Sequence, residues 1–220
     1  MKKTAILLGA SGLTGSLLLD LLLSDSDFDK IKLFSRKESG HSHPKIEEHI
    51  VDVLHLENHA ADFTGDVVFC CIGTTKAKTP DENEYKSIDF GIPVTAAQLA
   101  KQNNIPAFIV ISALGANPKS PVFYNRIKGQ MERHVIDLGI PKTHILEPSL
   151  IAGDRNEARV GETMGIYLMK VINPLLIGKL KKFRSIPPEN IAKTMWHLSK
   201  NDYPKTIVPS DIIFNLGQFD

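Results

Sequence analysis

The chain has 220 residues, 42% hydrophobic and 23% charged, with a net charge of +1. That length buries a sizeable core in one domain, and the composition is that of an ordinary soluble globular protein. A charge so close to neutral excludes nucleic-acid binding through bulk basicity.

The opening "MKKTAILLGASG" has the charge order of a secretory signal, but its apolar run from Ala5 stops at Gly9. A signal core needs roughly 7–15 such residues. The longest apolar region, 163–180, is interrupted by Lys170, Pro174 and Gly178. No segment offers the roughly 20 uninterrupted apolar residues of a membrane span. The expectation is a cytoplasmic protein with no membrane partner. Its two cysteines, Cys70 and Cys71, are adjacent and lie inside an apolar run. They lack zinc-ligand spacing and read as small buried hydrophobes.

Short apolar runs then alternate with helical patterns. "TAILLG" (4–9) predicts a buried first strand and "SLLLDLLLS" (16–24) the helix behind it. "KIKLFSR" (30–36) predicts a second strand, "EEHIVDV" (47–53) a weaker third and "DVVFCCIG" (66–73) a strong fourth. A long helix follows over about 83–103, with Ile88, Ile92, Ala96, Leu99 and Ala100 on its apolar side. "AFIVISA" (107–113) predicts a fifth strand, 122–139 a helix stopped by Gly139, and "KTHILEPS" (142–149) a sixth strand. The stretch 150–188 is less regular, and a helix follows Pro188 within 187–200. Continuous apolar strands separated by helices predict a doubly wound parallel α/β sheet. Residues 1–149 are expected to form the cofactor-binding core of a single domain spanning 1–220. Residues 150–220 are expected to add a small irregular extension on the substrate side.

Between the first strand and its helix lies "GASGLTG", with glycines at 9, 12 and 15. In this setting one glycine permits a tight turn, one lets backbone approach a pyrophosphate, and one lets helix and strand pack closely. The helix N-terminus adds free N–H groups and partial positive charge, and Ser11 and Thr14 add hydroxyls. A plain strand-to-helix turn would use glycine too. The end of the second strand is where an acid selects NAD and a base selects NADP. Here it reads Ser35, Arg36, Lys37, with no carboxylate before Glu38. Two cations favour NADP, a charge-assisted bond to phosphate being worth about 1.5–3 kcal/mol. Asp52, followed by Val53, ends the third predicted strand, where it can sit near the adenine amino group. Gly73 and Thr74 end the fourth, where backbone and hydroxyl can meet the cofactor.

"YNRIK" places Tyr124 and Lys128 one helical turn apart on one face. Their helix follows the fifth strand, whose end carries Ser112, at the carboxyl edge where open α/β sheets bind ligands. The three suit hydride transfer at a carbonyl. Tyr124 would exchange the proton, Lys128 would hold the nicotinamide ribose, and Ser112 would orient the oxygen. Bringing a tyrosine from about 10 to about 7 requires about 4 kcal/mol. An exposed ion pair supplies at most about 1 kcal/mol, so Lys128 can act only in a shielded site.

Five histidines lie between 41 and 59 (His41, His43, His49, His55 and His59), but their spacing is irregular and no cysteine accompanies them. No metal site is expected. The basic run "KLKKFR" (179–184) reads as a solvated edge.

"GASGLTG", "FSRK", "CCIGTTKAK", "VISALGA", "YNRIKGQMER" and "GDRNEAR", in that order, resemble the atypical short-chain dehydrogenase/reductases, and within them the Tat-interacting-protein branch and its bacterial relatives. The resemblance runs over roughly residues 4–200, with "CCIGTT" beside the Tyr-Lys helix its more specific part. It implies an NADP-binding Rossmann domain. By motif, Gly9, Ser11, Gly12, Leu13, Thr14 and Gly15 would hold the pyrophosphate, and Arg36 and Lys37 the 2′-phosphate. Ile72 and Gly73 would line the adenosine side, and Pro148 to Ile151 would approach the nicotinamide. Arg159 matches a family arginine near the cofactor, and Ser112, Tyr124 and Lys128 match the catalytic positions. The expectation is an NADP-dependent oxidoreductase for a small carbonyl or alcohol, acting as a monomer or homodimer without a nucleic-acid partner. An NADP-binding redox sensor is the alternative. A sugar-nucleotide epimerase would need a larger C-terminal substrate domain than about 70 residues provide.

Overall fold

The computed structural model describes residues 2–152 and 183–218. Its described residues build a seven-stranded, fully parallel sheet in the order β3-β2-β1-β4-β5-β6-β7. The strands are β1 (Lys3–Leu8), β2 (Phe28–Ser35), β3 (Ile46–Ile50), β4 (Val67–Cys70), β5 (Ala107–Ile111), β6 (Lys142–Glu147) and β7 (Ile207–Pro209). The helices are α1 (Leu13–Ser24), α2 (Glu82–Lys86), α3 (Ile92–Gln102), α4 (Phe123–Asp137), α5 (Pro188–Lys200) and α6 (Ser210–Leu216). A 3₁₀ segment (Val53–His59) follows β3, and a π turn (Ser87–Gly91) joins α2 to α3. This is the doubly wound Rossmann plan. Its strand order reverses between β1 and β4, which opens a crevice at their carboxyl ends.

Burial on both faces explains the unbroken apolar strands. Ala5 and Leu7 of β1 join α1, α5 and α6 in one core, with Leu18, Leu22, Ile191, Met195 and Ile213. Ile6 and Leu8 of the same strand join α3 and α4 in the other, with Val94, Ala97, Met131 and Val135. Lys32 alone among the β2 charges is buried. It donates to the Asp62 carbonyl at 2.8 Å and the Thr64 hydroxyl at 2.9 Å, so the inward ammonium keeps polar partners.

Three elements differ from expectation. The third strand stops at Ile50, because Asp52 leaves the sheet to cap the 3₁₀ segment, accepting from Leu54 N at 3.0 Å. The fourth stops at Cys70. Cys71 N still donates to Leu8 O at 2.9 Å, after which Ile72 and Gly73 turn out over the crevice. The long helix expected over 83–103 is interrupted by the π turn, which sets Asp89 facing inward at 1% exposure. β7 and α6 were not expected from the sequence. They extend the sheet beyond β6 and help close one of its faces. Arg159, the apolar stretch 163–180 and most of the basic run 179–184 lie outside the described residues.

Candidate nucleotide site

The crevice is a cavity of about 500 Å³ at the carboxyl ends of β1, β4 and β5. One wall is the glycine turn. Gly9 has φ +87°, and Gly12 N donates to its carbonyl at 3.0 Å, folding the chain tightly out of β1. A Cβ on Gly9 would stand 3.0 Å from the Cys71 backbone, and one on Gly15 only 2.0 Å from the Gly9 carbonyl oxygen. Neither position admits a side chain, so α1 starts directly against the strand end. Gly12 caps α1 without a side-chain bond, and its first turn carries no acid. The helix therefore turns undiverted N–H donors and partial positive charge toward the cavity. Ser11, Gly12, Leu13 and Thr14 all line it. Gly9 and Gly15 lie beneath as the scaffold. A dinucleotide pyrophosphate fits this cradle: donors without side-chain competition, and backbone bare enough for close approach.

Ile72, Gly73 and Thr74 form the facing wall. A Cβ on Gly73 would come no nearer than 3.5 Å to another group, so that glycine leaves room rather than relieving a clash. Thr74 is held from within. Its N–H donates to Asp89 Oδ2 at 2.7 Å, its carbonyl accepts from Tyr85 at 3.3 Å, and its hydroxyl pairs with that of Thr79 at 2.8 Å. It shapes the wall with these groups committed to the protein. Burial pushes both thiols up, Cys70 to about 11. Cys70 is a buried packing group as expected, whereas Cys71 is only partly buried and lines the cavity.

Tyr124, Lys128 and Ser112 line the same cavity, with the Lys128 ammonium beside Gly73, 3.8 Å from where a Cβ there would stand. Tyr124 is 39% exposed, while Lys128 and Ser112 are each 3% exposed. The Lys128 ammonium lies 2.8 Å from Asp89 Oδ1, a pair shielded almost wholly from solvent. Burial disfavours the Lys128 charge, yet Asp89 and Tyr124 together outweigh it and hold the group above the ordinary lysine range. Ser112 lies at the end of β5, where its N–H donates to Leu146 O at 2.7 Å. Its hydroxyl donates to Glu132 Oε1, one turn beyond Lys128 on α4. Burial pushes the Glu132 carboxyl up to about 7. The bond from Ser112 opposes this, the nearby Glu147 adds to it, and Lys128 opposes it.

Other expected residues lie further out. Arg36 and Lys37 are exposed on the bend after β2 and do not line the cavity, and neither forms an ion pair among the described residues. The register Leu8↔Phe34 sets that bend beside the glycine turn, at the same sheet edge. Asp52 is exposed as a cap, and Val53 is 6% exposed, its side chain packed inside. The Pro148 carbonyl is spent on Leu114 N at 2.9 Å, whereas Ile151 does line the cavity. Asp89 and Glu132 were not anticipated. Glu132 carried a signal, since Tyr124, Lys128 and Glu132 form one stripe at four-residue spacing. Asp89 carried none. Among the described residues no cluster of His, Cys, Asp and Glu could hold a metal, and His49 instead stacks on Phe34 at 4.5 Å.

A family model described as NAD(P)H-binding matches residues 9–162, the stretch that contains the glycine turn, the β4 loop and the Tyr-Lys helix. The chain belongs to the NAD(P)H-binding family. It is 32% identical to rat HTATIP2 over 164 residues, covering 73% of this chain and 67% of that protein. It is 31% identical to FMP52-1, mitochondrial, of Scheffersomyces stipitis over 189 residues, covering 84% and 78%. The HTATIP2 match bears out the resemblance to the Tat-interacting-protein branch. The FMP52 relatives are named mitochondrial, so the expectation of a cytoplasmic protein finds no support in them. Solved structures share the fold. WbmG of Bordetella bronchiseptica with NAD and UDP has a TM-score of 0.70 at 12% identity, covering 96% of this chain and 73% of that one. UDP-N-acetylglucosamine 4-epimerase from Methanobrevibacter ruminantium has 0.68 at 17% identity, covering 94% and 76%. Pen from Bacillus thuringiensis has 0.61 at 16% identity, covering 79% of this chain, which spans 56% of Pen. Among the described residues no helix is long and apolar enough to cross a membrane.

Proposed function

We infer that this NAD(P)H-binding protein is an NADP-dependent oxidoreductase for a small carbonyl or alcohol. The observation that supports the reading is that Tyr124, Lys128 and Ser112 line the same cavity as the glycine cradle. A reduced nicotinamide held there would supply the hydride for a carbonyl carbon. Tyr124, the most exposed of the three, would give its proton to the developing alkoxide oxygen, leaving an alcohol and a phenolate. Lys128 keeps its ammonium protonated beside that phenol, because Asp89 shares its buried position, and so favours the deprotonated phenol after transfer. Ser112 meets the same oxygen from the β5 side. The preference for NADP rests on Arg36 and Lys37, exposed beside the glycine turn with no carboxylate before Glu38.

The test is a titration with NADPH and NADH followed by turnover on a panel of aldehydes, ketones and quinones. NADPH should bind at least about tenfold tighter, and Arg36→Ala with Lys37→Ala should erase that margin, as charge-assisted phosphate bonds are worth about 1.5–3 kcal/mol. Tyr124→Phe should keep NADPH affinity and lose about 10²–10⁴ in kcat/KM, the usual share of a general acid. Full turnover in Tyr124→Phe removes the role assigned to that residue. NADPH binding without turnover on the whole panel leaves a cofactor-binding sensor in place of an enzyme.

A further inference from the structure

Ser112 lines the cavity, while Glu132, 8% exposed, stands behind it, off the cavity wall, and receives its hydroxyl hydrogen bond. A serine hydroxyl has one proton and two acceptor lone pairs, so what it offers on one side depends on what it spends on the other. On the oxidoreductase reading above, we propose that Glu132 is a positioning residue that sets the hydrogen-bond polarity of Ser112. It thereby decides whether the cavity favours a carbonyl or an alcohol oxygen at that point.

The argument is one of proton inventory. An ionised carboxylate only accepts. Glu132 in that state takes the single Ser112 proton, and Oγ then presents lone pairs to the cavity. An alcohol O–H can donate to those lone pairs, but a carbonyl oxygen meets them lone pair to lone pair. A protonated Glu132 can instead donate to Ser112 Oγ, which frees the serine proton for a carbonyl oxygen. Both states are reachable near neutrality, since burial pushes the Glu132 carboxyl up to about 7. The groups facing it are Ser112 from the end of β5, Glu147 from β6, and Lys128 from its own helix. The π turn sends Asp89 to Lys128 and Thr74. α3 brings no charge nearby, since its one charged side chain, Lys101, reaches the Gly139 carbonyl at the far end of α4.

Two readouts test this. Difference infrared spectroscopy on the cofactor-free protein follows the protonated-carboxyl band from about pH 5 to about pH 9. A band should vanish with a midpoint near neutrality, be absent in Glu132→Gln, and shift its midpoint upward in Ser112→Ala, which removes the bond that favours the carboxylate. Turnover with NADPH should then show carbonyl reduction falling about tenfold per pH unit above that midpoint, a limb that alcohol oxidation lacks. In Glu132→Gln the amide can donate or accept but does not titrate, so this limb should flatten. A limb belonging to Tyr124 would survive that substitution. A wild-type band at the ordinary carboxylate midpoint, or one unmoved by Ser112→Ala, overturns the coupling. A reduction limb unchanged in Glu132→Gln overturns the control of substrate polarity while the oxidoreductase reading stands. No wild-type turnover on the carbonyl panel overturns that reading itself, and the substrate role of Glu132 with it.

Discussion

Gly15 is the residue with the least freedom in the nucleotide site. Its Cβ position lies inside the Gly9 carbonyl, and backbone cannot rotate aside as a side chain can. Gly15→Ala should force α1 away from β1, costing about 1–3 kcal/mol in a denaturant melt and at least about tenfold in NADPH affinity by fluorescence titration. Gly12→Ala should do less, since its Cβ would meet the same oxygen at 3.2 Å, a contact eased by a small shift. At this scale the sequence was legible wherever a role depends on spacing. Three glycines at three-residue intervals and a Tyr-Lys pair at four place themselves. Asp89 was hidden because an acid among Ile88, Phe90 and Ile92 gives no hint of direction. Its inward aim comes from the wider π turn, and such turns recur at functional sites.

Among the elements, α5 is anchored by more than its apolar stripe. Trp196 Nε1 donates to Asp25 Oδ2 at 2.7 Å, and Lys200 Nζ lies 2.9 Å from the same oxygen and 2.6 Å from Asp27 Oδ2. The helix is thereby tied to the turn between α1 and β2. Burial works against the Asp25 charge, but Lys200, the Asp27 N–H and Trp196 outweigh it and hold the carboxyl below the ordinary aspartate range. A group depressed in the folded state contributes stability above its unfolded pKa and loses it as pH falls through the folded one. Asp25→Asn should therefore cost about 1–2 kcal/mol near neutral pH, and the difference from wild type should shrink as both are melted at progressively lower pH. If the cost is unchanged in strong acid, the carboxylate is not its source. Most elements could be read from apolar runs, and α5 from Pro188. β7 could not. Three residues, "IVP", carry too little periodicity to register, and they become a strand only because Ile207 and Val208 find β6 already in place.

The whole molecule is organised by parallelism. Because the seven strands among the described residues run the same way, their carboxyl ends share one edge, and the glycine turn, the β4 loop, Ser112 and the start of the Tyr-Lys helix lie there. The seven-stranded order needed β7, but the crevice needed only β1, β4 and β5, which is why the crevice and its lining could be read while part of the sheet could not. The opposite edge is made of the turns that lead into the strands. Asn104, exposed between α3 and β5, and Asp202 and Lys205, exposed before β7, belong to it. These turns are natural points of attachment. A cysteine introduced as Asp202→Cys and coupled to a bead or an electrode should hold the protein with its crevice turned to solution. NADPH affinity measured on the support should stay within about twofold of the free protein, since tolerated additions concentrate at such exposed turns. The same tether placed at Ser11, in the cavity wall, should abolish binding.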